Sequence, residues 1–142
     1  MIGQGAKAGL AGAVVMSIST NLEMRLSGRD ASDAPAKALE RMAGIDLDNR
    51  RAEQALVTAA HVATSVSLGV VAAVLRRRLR PDLAVALLFG VSLIPELVLV
   101  PALGAADPPW RWSKRGTGQA VLHHAVYAVA TAAALEHIRA RD

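Results

Sequence analysis

Five ionisable side chains sit inside apolar stretches of this 142-residue chain, and their spacing invites a chemical reading: Glu23, His61, Glu96, His123 and His124. Each falls at nearly the same distance from a basic anchor. Glu23 lies 16 residues after Lys7, and His61 lies 15 before Arg76. Glu96 lies 16 residues after Arg80, and His123 lies 16 before Arg139. In helices rising 1.5 Å per residue, that puts all of them roughly 24 Å from the anchors, at one level. A hydroxyl recurs one turn deeper in each segment: Ser19, Ser65, Ser92 and Tyr127. Residues four apart share a helix face, so each ionisable group is expected beside a hydroxyl.

Carboxylates and imidazoles within an apolar span are costly and turn inward to pair with one another. Three uses fit such a layer. Glu–His hydrogen bonds could simply fix helix register, with water reaching the layer from the nearby interface. The two carboxylates could share charge with the imidazoles and handle protons or a cation. Carboxylate oxygen and imidazole nitrogen also suit a divalent metal such as zinc, iron or manganese. The Glu-x-x-His pair that helix bundles use for metals on a single helix is missing, however. The sequence therefore implies no definite cofactor, with a divalent metal as the least supported option.

The elements that must carry this layer are four apolar blocks, near residues 5–26, 55–75, 83–103 and 119–138. Each has about the 20 residues that a membrane-crossing helix needs. The chain is 53% hydrophobic yet only 3% aromatic, so its apolar content is Ala, Val and Leu gathered into blocks. The second and third blocks show no polar face of the kind a soluble helix presents. The expected fold is all-α: one domain over residues 1–142, a four-helix transmembrane bundle. A soluble helical bundle is the alternative. Lys7 and the stretch from Ala8 to Ile18 imitate a signal peptide, but no small-x-small cleavage site follows, and the block is read as a retained first span.

Between the first two spans, Asp33-Ala34-Pro35 opens a short helix that Gly44 should stop. Leu39 and Met42 could lay it on the membrane surface. Pro95 and Pro101 free backbone carbonyls near Glu96 and predict a kink or a span end. Trp110 and Trp112 are the kind of residue that anchors at an interface. Orientation follows from Arg76, Arg77, Arg78 and Arg80 in a tight turn, a cytoplasmic signal that puts both termini on the same side.

Gly5, Gly9 and Gly12 line one side of the first span, and Ala130, Ala133 and Ala134 one side of the fourth. Such faces pack helices closely, either inside the bundle or against a second copy. Cysteine is absent, which excludes disulfides and thiolate metal sites. The net charge of +4 comes from residues flanking apolar blocks, without the interleaved aromatics that stack bases, so nucleic acid is not the expected partner. No Gly-x-Ser-x-Gly nucleophile or phosphate-binding glycine loop occurs, and the reading leans away from an enzyme. Two functions remain ahead of a metal-dependent intramembrane enzyme. One is a membrane protein with a proton or cation site, and the other an accessory or scaffold subunit of a homo-oligomer or larger membrane complex.

The run Pro101-Ala102-Leu103-Gly104, then Pro108-Pro109 and Trp110, with His124 in an apolar helix ending at Glu136 and Arg139, resembles the YagU-like family of bacterial inner-membrane proteins. The glycine- and alanine-rich opening and a histidine in the second span are also similar. The resemblance covers mainly the last third of the chain. It implies an inner-membrane location and an inward-facing His124, and it implies no activity.

Overall fold

A computed structural model describes residues 1–141. It is all-helical, with no strand among the described residues. Five helices make it up: α1 (Ile2–Ser27), α2 (Ala34–Ala43), α3 (Arg50–Arg78), α4 (Pro81–Ala102) and α5 (Lys114–Arg139). The four long helices enclose the four apolar blocks, and α2 is the expected short helix of the first connection.

Local chemistry sets the ends. The Asn49 side chain accepts from Arg51 N–H at the start of α3, and Ser113 accepts from Gly116 N–H at the start of α5. Each fills one of the donors that a helix N-terminus leaves open. Gly44 has φ 65° and ends α2, with Ile45 N–H donating to the Glu40 carbonyl. Only glycine takes that left-handed conformation cheaply. At the other end of α2 the Asp33 side chain makes no cap hydrogen bond; it pairs with Lys37 at 2.5 Å instead.

α4 changes character along its length. It is α-helical over Pro81–Ile94, widens to a π turn over Pro95–Leu99, and recovers over Val100–Ala102. Pro95 has no N–H to continue the ladder, and the Val100 N–H reaches back to the Pro95 carbonyl. The expected kink is thus a widened turn, and Glu96 lies within it.

In the bundle α1 packs on both α3 and α5, while α4 completes the ring against α5 and α3. The α1–α3 contact is a backbone approach. A Cβ on Gly9 would land on the Ser65 carbonyl oxygen, and one on Gly69 would strike the Gly5 carbonyl. A Cβ on Gly12 would strike the Thr131 hydroxyl of α5. Gly5, Gly9 and Gly12 are buried, so the glycine face of α1 is used inside the bundle.

The interior is correspondingly small-grained. Ala8, Ala72, Ala73 and Ala128 surround Leu88, Tyr127 and Leu135. Many large aliphatic side chains point outward on every long helix: Ile18 of α1 is 61% exposed, Val74 of α3 45%, Val98 of α4 60% and Val129 of α5 59%. Two helices, α3 and α4, are long and apolar enough to cross a membrane, and only 22% of the apolar window of each is buried. The core helix of a soluble protein would be mostly covered. α1 and α5 hold polar residues towards one end of the bundle, among them Ser19 and Glu23 on α1 and Gln119, His123 and His124 on α5.

Candidate ionisable site

The site is built from the last turns of α1 and the first half of α5. Gly28, at φ 64°, ends α1 and returns the chain, with Arg29 N–H bonded to the Met24 carbonyl. That reversal swings the Arg29 guanidinium back onto its own helix, where it donates to Glu23 Oε2 at 2.9 Å. The other oxygen, Oε1, accepts from the Gln119 side-chain amide of α5 and lies 4.0 Å from the Arg115 guanidinium. The Glu23 side chain is 16% exposed. It is therefore a held carboxylate, with a charge-assisted bond on one oxygen and an amide on the other.

One turn along α5 from Gln119, His123 is buried, at 6% exposure. Its Nδ1 is 3.1 Å from the Ser19 hydroxyl of α1. Its Nε2 faces Glu23 Oε2 at 4.0 Å, within ion-pair range but beyond hydrogen-bond length. That Nε2 is buried without a hydrogen-bond partner. Ser19, Glu23, Gln119 and His123 thus form one interhelical group joining α1 and α5.

His124 points to the other side of α5. Its Nδ1 lies 2.8 Å from the Ala120 carbonyl and 3.5 Å from Glu96 Oε2 in the π turn of α4. A carbonyl oxygen can only accept, so Nδ1 carries a proton and, in the neutral ring, Nε2 is left as the acceptor. The Glu96 side chain is 42% exposed, so this second pair meets the surroundings of the bundle where the first does not.

Four of the five ionisable residues therefore form two Glu/His pairs at one end of the bundle, Glu23 of α1 with His123 and Glu96 of α4 with His124 of α5. His61 joins neither pair. It is exposed on α3, with His124 within electrostatic range and no carboxylate beside it. Of the four hydroxyls, only Ser19 bonds an ionisable residue. Ser92 donates to the Phe89 carbonyl on its own helix, 2.8 Å away. Tyr127 donates to the Ser65 carbonyl at 2.8 Å, tying α5 to α3 below the site. The Ser65 side chain is itself buried.

No family model, curated protein or solved structure matches the chain. The geometry itself must carry the functional argument. Among the described residues no group of three or more His, Asp or Glu converges on a point where a metal could sit. Each pair supplies two donor side chains, and a protein zinc site takes at least three.

Sequence reasoning missed Arg29, Arg115 and Gln119. Gln119 precedes His123 by four residues and shares its face, which is a readable signal. Arg29 lies just past the end of α1, in the charged connection to α2. A glycine directly after a helix, followed by a cation, is the pattern that would have returned it to Glu23.

Proposed function

We propose that the chain is a small multi-pass protein of a bacterial inner membrane. It crosses four times with both termini on the cytoplasmic side, and its Glu/His pairs bind and exchange protons near the outer end of the bundle. The observation that carries the proton reading is the buried Nε2 of His123, which has no hydrogen-bond partner and faces the Glu23 carboxylate at 4.0 Å. The ring has a workable partner in either state. When neutral, Nδ1 accepts from the Ser19 hydroxyl. When protonated, Nδ1–H donates to that same oxygen and Nε2–H is drawn to Glu23. A hydroxyl that can reverse its role lets the ring gain and lose a proton without moving.

The membrane placement is supported by the outward aliphatic side chains on all four long helices and by the two helices apolar enough to span. The arginine-rich turn between α3 and α4 supports the orientation, and Trp110, 83% exposed, suits an interfacial anchor. Resemblance to the YagU-like family points to the same compartment. The accessory-subunit reading carries less weight, because the glycines that would have formed its docking face are buried against α3 and α5.

Histidine ring resonances of the protein in detergent, followed by NMR across about pH 5 to 8, test the proton reading. His123 should take up a proton as the pH is lowered, and Glu23→Gln should move that step while leaving the His61 signals in place. A His123 ring held in one protonation state throughout would make the pair a structural hydrogen bond and end the reading.

A further inference from the structure

At the opposite end of the bundle from the Glu/His pairs, α4 and α5 part to leave an open cleft of about 260 Å³. Its floor is Ala72, Ala84, Leu88 and Leu135, and Val129 and Ala133 form part of the rim on α5. All of these are aliphatic. The polar exceptions sit together at one end, where Arg76 Nε forms an ion pair with Glu136 Oε1 at 2.6 Å and closes the cleft. From that end the cleft extends seven residues along α5, from Glu136 to Val129, which is roughly 10 Å of helix.

The charge at the closed end is lopsided. Arg76, Arg77, Arg78 and Arg80 crowd the turn between α3 and α4, and Arg139 follows on α5. The acids paired here are Glu136, shared by Arg76 and Arg139, and Asp82, 3.3 Å from Arg80. Among the described residues no acid pairs with Arg77 or Arg78. An apolar slot that ends under an excess of cations matches an amphiphile with an apolar tail and an anionic head.

We infer that this cleft binds one anionic phospholipid, with an acyl chain between α4 and α5 and its phosphate on the arginines of the α3–α4 turn. The inference rests on the membrane placement proposed above and is independent of the proton site. It gives the arginine turn a second task beside orientation, since each cation near an anionic lipid surface strengthens attachment. It also accounts for α4 and α5 leaving an open apolar groove where α1 and α3 meet backbone to backbone.

The test is native mass spectrometry of detergent-purified protein incubated with phosphatidylglycerol or with phosphatidylcholine of the same acyl chains. Wild type is compared with Ala133→Phe, which fills the cleft from its exposed rim, and with Arg77→Gln/Arg80→Gln. Wild type should retain one phosphatidylglycerol in preference to phosphatidylcholine. A133F should lose both lipids, and R77Q/R80Q should retain phosphatidylglycerol roughly tenfold more weakly while holding phosphatidylcholine as before. Equal retention of the two lipids by wild type, or retention unchanged in A133F, would overturn the site. A chain that needs detergent yet carries no lipid overturns the lipid site alone. One that purifies without detergent overturns the membrane placement with it.

Discussion

Ser19 is the residue on which the candidate site turns. It comes from α1, its hydroxyl lies 3.1 Å from His123 Nδ1, and no other group is bonded to that buried ring. Ser19→Ala should cost about 0.5–1.5 kcal/mol of stability, the net worth of one hydrogen bond, read from the unfolding midpoint in detergent. It should also change the His123 titration; a variant that loses stability while His123 titrates as in wild type would make Ser19 a structural tie only. A common level for Glu23, Glu96, His123 and His124 was expected from depth, because equal spacing from basic anchors sets equal height in a bundle; which glutamate meets which histidine was not. Depth does not set direction around the helix axis. His61 shares a stripe with Ser65, Gly69 and Ala72, but that stripe is buried only from Ser65 onward, and His61 lies past it on the exposed part of α3. Arg29 escaped for the opposite reason, since its position depends on a single left-handed glycine rather than on periodicity.

Among the elements, α1 tolerates the least change. Gly9→Ala should destabilise the bundle by about 1–3 kcal/mol, since the added methyl overlaps the Ser65 carbonyl and two backbones must separate. Gly90→Ala meets open space on α4 and should be neutral or stabilising by about 0.5–1 kcal/mol. Equal effects in the two variants would contradict the backbone contact. The glycine spacing on α1 was readable in the sequence; the partner was not, because Gly69 and Ser65 lie on a helix whose own glycine gives no pattern. In α4 the kink was expected at Pro95, whereas the π form depends on Val100 bonding five residues back. Pro95→Ala should restore a regular ladder and turn Glu96 away from His124, read by NMR as loss of the contact between the two side chains with helix content unaltered. α2 has its own signature: the Lys37 ammonium beside Asp33 holds that carboxyl below the usual aspartate range. A depressed folded value means support present above the ordinary aspartate pKa and lost as pH falls through the lower folded one. Protection of the α2 amides, taken relative to the intrinsic exchange rate at each pH, should therefore fall in strong acid, and Lys37→Ala should remove the acid-dependent step.

At the scale of the whole molecule, small side chains and His123 line the interior around Leu88, Leu93, Tyr127 and Leu135, while many leucines, isoleucines and valines face outward. The two helices that fall short of a clear span, α1 and α5, carry the Glu23–His123 group, while Glu96 and His61 lie on the two that are apolar enough. The four-span placement is the central claim, because it makes Glu23 and His123 intramembrane groups rather than residues at one end of a soluble bundle. The chain has no cysteine, so single cysteines report cleanly. Ser32→Cys, Leu79→Cys, Ala106→Cys and Ala140→Cys would be labelled in intact spheroplasts with a membrane-impermeant maleimide. The account predicts labelling of positions 32 and 106 from outside, and of 79 and 140 only after lysis. Labelling of position 79 from outside, or protection of 32 and 106, would contradict it.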